Sequence, residues 1–121
     1  MSYVHFSFQT SAFKDTPEIK AQNINEISGH SLATWLSGAL RSRGFKASEI
    51  WDEDHGWDFS VSDGTTSFNC SCSINDDEEP MGDAHVTLGA RATPDHEIVV
   101  AVNDLLRQSE HVQQLELDTH R

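Results

Sequence analysis

The opening residues YVHFSFQT alternate, with Val4, Phe6 and Phe8 set against Tyr3, His5 and Ser7, the period of a strand that buries one face. Residues 14–27, KDTPEIKAQNINEI, have no clean period and form a long connection, of a length that is often either mobile or functional. In SGHSLATWLSGALRSRG the spacing changes. Leu32, Trp35, Leu36, Ala39 and Leu40 stand at i, i+3, i+4, i+7 and i+8, which predicts a helix with Ser28 or Ser31 as its cap and Gly44 behind it. A left-handed Gly44 would let Phe45 pack back on Leu40.

A short strand is expected near Ala47 to Trp51, followed by a hairpin in WDFSVSDGTTSFNCSCSI. Taking Asp63 and Gly64 as a two-residue turn pairs Ser62 with Thr65, Val61 with Thr66, Phe59 with Phe68 and Trp57 with Cys70, and puts the large apolar side chains on one face. AHVTLGARA alternates again through Val86, Leu88 and Ala90. In TPDHEIVVAVNDLLRQS, Thr93 can cap and Pro94 can open a helix whose apolar stripe is Ile98, Val99, Val102, Leu105 and Leu106. Residues 110–121 either extend this helix or fray. The order strand, helix, four-strand meander, helix predicts one α+β domain over residues 1–121, a two-layer sandwich with a mostly antiparallel sheet and both helices on one face.

A length of 121 residues suits a single core. No apolar run approaches the ~20 residues of a membrane helix, and the N-terminus lacks the pattern of a signal peptide, so a cytoplasmic protein is expected. Charge changes the picture more than length does. The net charge is −12, and no Lys or Arg lies between Lys46 and Arg91. Within that span are Glu49, Asp52, Glu53, Asp54, Asp58, Asp63, Asp76, Asp77, Glu78, Glu79 and Asp83. Such a field repels nucleic acid and anionic membranes and attracts cationic surfaces.

Candidate chemistry is sparse. Cys70 and Cys72 in CSC share a strand face; the hairpin sends that face inward, where cysteine serves as a small buried apolar group, and so close a pair argues for free thiols. The acids of DEDHG do not follow a calcium loop, because Gly56 arrives one position early counting from Asp52. Neither a G-x-S-x-G elbow nor an H-E-x-x-H pair nor a dinucleotide fingerprint is present. His5, His30, His55, His85, His96, His111 and His120 are scattered along the chain, and most are expected to be solvent-facing residues of strands or helix ends. Trp35 and Trp57 are expected in the core. Trp51, directly before the acids, would be an aromatic anchor in an acidic rim if exposed.

With EIWDEDHGWDF and the preceding SGHSLATWLSGALRSRGF, residues 28–62 resemble small uncharacterised bacterial proteins that place an acidic ED-x-GW turn after an amphipathic helix and strand. The resemblance implies a bacterial cytoplasmic single domain and no mechanism. It also implies that EDHGW is a structural turn, with Gly56 supplying an unusual backbone angle and Trp57 plugging the sheet.

The reading these features favour is a non-catalytic acidic module that docks a basic protein, as an immunity protein, an inhibitor or an antagonist of a nucleic-acid-binding protein would. Its expected contact residues are Trp51, Asp52, Glu53, Asp54, His55, Asp76, Asp77, Glu78, Glu79 and Asp83; no catalytic residue, metal ligand or cofactor is assigned. The geometric requirement is that the 52–56 turn and the 75–83 loop lie together. The alternatives are a small metal- or ligand-binding, enzyme-like domain built on His55, His85 or the acids, which requires imidazole and carboxylate groups converging on a pocket, and an acidic domain with no charged partner.

Overall fold

A computed structural model describes residues 2–76 and 81–120, the side chain of His120 excepted. In chain order the elements are β1 (Tyr3–Thr10), the single turn α1 (Pro17–Lys20), α2 (His30–Ser42), β2 (Lys46–Ala47), β3 (Trp51–Glu53), β4 (Gly56–Ser62), β5 (Ser67–Asn75), β6 (Gly82–Gly89), α3 (Glu97–Gln108) and β7 (Gln113–His120). The strands form one antiparallel sheet in the order β2-β4-β5-β6-β1-β7, and β3 also pairs with β4. This is the expected α+β sandwich, with the meander intact and β1 inserted between β6 and β7.

The strand period decides which side of the sheet is covered. Val4, Phe6 and Phe8, Phe59 and Val61, Phe68, Cys70, Cys72 and Ile74, and Ala84, Val86 and Leu88 are all buried on one side. Leu32, Leu36 and Leu40 of α2 and Ile98, Val102 and Leu106 of α3 belong to the same core cluster. The intervening positions, His5, Ser7, Ser71, Ser73, His85 and Thr87, are only partly buried and form an open second face. Helix α2 ends as its sequence predicts: Gly44 takes φ 95°, its N–H reaches Arg41 O, and Phe45 N–H reaches Leu40 O.

Several boundaries differ from expectation, each for a local reason. The hairpin closes through a four-residue loop, pairing Ser62 with Ser67, Val61 with Phe68, Phe59 with Cys70 and Trp57 with Cys72. A two-residue type I′ turn needs positive φ at both central positions, and Asp63 does not adopt it. Instead its carboxylate accepts from Thr65 N (2.8 Å) and Thr66 N (2.7 Å). Those bonds hold the Asp63 pKa down at about 2. Because the register moves by two residues, every side chain keeps its expected face.

The tail neither extends α3 nor frays. Residues 113–120 form β7, which pairs with β1 and bulges where Gln114 adopts φ 54°. Leu115 and Leu117 were its two apolar signals, too few to establish a period. The expected short strand at 47–51 is split into β2 and β3. Helix α3 starts at Glu97, with the His96 ring accepting from Ile98 N (3.1 Å) in place of a Thr93 cap. Neither Ser28 nor Ser31 caps α2. Asp15 does so from the connection, its carboxylate accepting from Gly29 N (2.9 Å), His30 N (3.0 Å) and Ser31 N (2.7 Å). Trp57 is core, as expected, whereas Trp35 is half-buried against Phe13.

Candidate functional site

The acidic turn is held from beneath by one residue of the long connection. Asn23 is 2% exposed, and its Nδ2 donates to Asp52 Oδ1 (2.6 Å), Glu53 O (2.8 Å) and Gly56 O (3.0 Å). Its Oδ1 accepts from Asn25 N and Ile27 N, so one side chain ties residues 23–27 to residues 52–56. Asn25 Nδ2 adds a bond to Asp54 O, and Trp57 Nε1 donates to Ile27 O (2.9 Å). Gly56 takes φ 145°, and a Cβ there would meet Cys72 O at 2.4 Å. Only glycine fits. The 14–27 segment is therefore the cradle of the acidic turn.

Pairing with β4 sorts the acids onto two sides. Trp51 lies opposite Asp58 and Glu53 opposite Gly56, so both project on the open face; Asp52, opposite Trp57, projects toward Asn23. Trp51 is 38% exposed, and its Nε1 donates to Glu53 Oε1 (2.7 Å). Asp54 is exposed beside His55 (3.3 Å to Nδ1). Asp83 lies on the open face, bonded to Gln9 Nε2. Asp76 is held by Lys20 Nζ (3.1 Å) and Ser28 Oγ (3.0 Å), and its pKa is lowered because these bonds outweigh its burial. Asp77, Glu78 and Glu79 lie outside the described residues. Trp51, Glu53, Asp54, His55 and Asp83 thus share the open face, while Asp52 and Asp76 clamp the connection.

Five strands, β4, β5, β6, β1 and β7, add residues to this face beyond the expected contact set. Cross-strand register sets Asp58 beside Ser71, Ser71 beside Thr87, Thr87 beside His5 and His5 beside Asp118; in the next row Ser73, His85, Ser7 and Glu116 follow one another. His5, His55 and His85, far apart in sequence, border one shallow hollow of about 470 Å³ with Ser71, Ser73 and Thr87. His5 Nδ1 is 2.8 Å from Thr87 Oγ1, and its Nε2 is 3.0 Å from His85 Nδ1. Alternation in β1 and β6 placed His5 and His85 outward; only the β1–β6 pairing, invisible in a single sequence, brings them together.

The other histidines are spread elsewhere. His30 packs edge-on against Trp57, His96 against Phe68 and His111 against Phe13.

Asp58 anchors the edge of the hollow. It is 3% exposed, with Oδ1 2.8 Å from His55 Nε2 and Oδ2 accepting from Asn69 Nδ2 (2.7 Å). Partial burial by itself lowers the His55 pKa, but Asp58 and then Asp54, through hydrogen bonds and charge, raise it above 6.5. Ser71 Oγ also lies 3.3 Å from His55 Nε2. This is not a nucleophile and base pair, because the nitrogen that would take the serine proton already faces Asp58. Donor atoms of Glu53, Asp54 and His55 lie within 4.8 Å of one another and could approach a cation. Cys70 and Cys72 are free thiols inside the core, where their mutual contact and burial push the Cys70 pKa well up, the opposite of thiolate activation. Among the described residues no helix is long and apolar enough to cross a membrane.

A scan against protein-family models, a search of curated proteins and a search of solved structures each found no match.

Proposed function

We propose that this chain is a non-catalytic interaction module whose open sheet face docks a positively charged protein surface, in the manner of an immunity protein, an inhibitor or an antagonist of a nucleic-acid-binding protein. One observation carries the reading. Strands β1, β4, β5, β6 and β7 contain no Lys or Arg, while their open face and its rim present Asp54, Asp83, Glu116 and Asp118 with the exposed Trp51 at one edge. A broad anionic surface with an aromatic anchor complements a basic partner, steers its approach and disfavours nucleic acid itself.

Glu53, Asp54 and His55 supply contacts on the Trp51 side of the face, and Asp83 supplies one across the sheet on β6. Asp52 acts by holding the turn to Asn23 and Asp76 by holding the connection, and Asp77, Glu78 and Glu79 add negative charge. A bacterial cytoplasmic setting accords with the resemblance of residues 28–62 and with two core thiols kept reduced.

The test is affinity capture from the native host at low salt, with the natural chain beside a variant carrying Glu53→Gln, Asp54→Asn, Asp83→Asn and Glu116→Gln. A basic protein should be retained by the natural chain, released by added salt and lost from the variant. Titrated into isotopically labelled chain, it should shift amides of β4–β6 and leave those of α2 unmoved. Equal retention by both chains, or shifts confined to the helices, would sink the reading. A metal- or ligand-binding domain is the second reading, favoured by the three imidazoles around one hollow.

A further inference from the structure

We propose that His5 and His85 form a chelating site for a divalent late first-row transition-metal ion, Cu²⁺ or Ni²⁺ ahead of Zn²⁺, on the open face of the sheet. The inference stands apart from the docking reading and rests on three observations.

Donor spacing comes first. His5 Nε2 and His85 Nδ1 are 3.0 Å apart, on adjacent strands β1 and β6. Two nitrogens at that separation, each about 2.0–2.1 Å from a shared ion, subtend roughly 90° at the metal. That is the angle of tetragonal Cu²⁺ and Ni²⁺ coordination; tetrahedral Zn²⁺ would need the rings slightly farther apart.

Orientation comes second. Thr87 Oγ1 lies 2.8 Å from His5 Nδ1, where it can accept the N–H of the tautomer that leaves a lone pair on Nε2. An outer partner of this kind fixes ring and tautomer before the metal arrives. In the metal-free pair a single proton bridges His5 Nε2 and His85 Nδ1. On binding, each ring turns outward, and the proton leaves His85 Nδ1 while Nε2 of the same ring takes one up, so the pair stays neutral and releases no net proton.

Surroundings come third. The two rings border the open hollow of about 470 Å³, which leaves room for water ligands. A neighbouring hollow beyond His85 is bordered by Asp83 and Glu116, whose charge favours a dication. His55 lies on the same rim, but its Nε2 is engaged by Asp58 and its Nδ1 faces Asp54, so it is not assigned as a ligand.

The experiment is calorimetric titration of the full chain with Cu²⁺ and with Ni²⁺ in a non-chelating buffer, with electron paramagnetic resonance of the Cu²⁺ form. One equivalent should bind with hyperfine splitting from two nitrogens. His5→Ala and His85→Ala should each weaken binding about tenfold or more, Thr87→Val by a smaller factor, and His55→Ala by no more than about twofold. Circular dichroism checks that each variant folds; because both rings lie outside the core, His85→Ala alone decides if His5→Ala does not fold. Unchanged binding by the folded histidine variants, a one-nitrogen spectrum, or loss of binding in His55→Ala would overturn the site, the last by moving the ion to the Glu53, Asp54 and His55 cluster. The first two outcomes leave the docking reading intact, because His5, His85 and Thr87 are not among its contacts; the third would place a cation on Glu53, Asp54 and His55, which are.

Discussion

Asp52 and Glu53 are neighbours in one acidic run, yet they serve two different regions of the molecule. The Asp52 carboxylate turns toward the connection and accepts from buried Asn23; the Glu53 carboxylate turns to the open face and accepts from exposed Trp51. The strand period, not the local density of charge, separates them. On the connection side Asn23 and Asp52 are tied to the fold, and changing either should cost stability. On the open side the same kind of group meets water, and changing it should alter binding with little effect on stability. An acid-rich stretch is therefore not one functional unit: alternate residues of a short edge strand can be structural and interactive in turn.

Asn23 offers the largest test of this division. Asn23→Ala removes the donor shared by Asp52, Glu53 O and Gly56 O and the acceptor shared by two backbone amides. Leaving such groups unsatisfied should destabilise the fold by about 3 kcal/mol, read as a lower urea midpoint at unchanged slope. Asn23→Asp, which keeps the size and the acceptor but loses the donor beside Asp52, should be at least as harmful. A loss no greater than that of Glu53→Gln would show that the connection does not hold the turn.

Asp15 comes next. It caps α2 from outside the helix, with one carboxylate shared by three backbone amides. Asp15→Ala should cost about 1–2 kcal/mol by the usual scale of cap loss, seen as a lower thermal midpoint. Asp15→Asn should recover part of it, since an amide oxygen still accepts but lacks the charge. No recovery would assign the effect to the helix dipole and not to hydrogen bonding.

These two residues also mark where the sequence stopped being legible. Both helices, the meander and the inward set Phe59, Cys70, Cys72, Val86 and Leu88 follow from periods of 2 and 3.6 that local residues carry themselves. Asp15 and Asn23 act on groups 14 to 33 positions away, and nothing in KDTPEIKAQNINEI shows which backbone they will meet. The acidic half of the open face was visible as a run around Trp51. Its histidine half was not, because His5 and His85 meet only through strands 80 residues apart in sequence. β7 was hidden for another reason: an edge strand with two half-buried leucines needs little apolar signal, since its partner β1 supplies the ladder.

The smallest effect lies at the seam between the two regions, where His55 on the open face meets buried Asp58. Its folded pKa is raised above the ordinary histidine value of 6.5, burial being outweighed by Asp58 and Asp54. A group held more basic in the folded chain binds its proton more tightly there than in the unfolded chain. Its contribution is therefore complete below 6.5 and disappears as pH rises through the folded pKa. Because half of the ring is solvent-exposed, screening keeps the effect small. The natural chain should melt higher than His55→Gln on the acid side, and the gap should close as pH rises; a gap that widens with pH would reverse the assigned sign. The same titration reaches binding. A protonated His55 offsets charge from Asp58, Asp54 and nearby Glu53, so a basic partner should dock more weakly at mildly acidic pH.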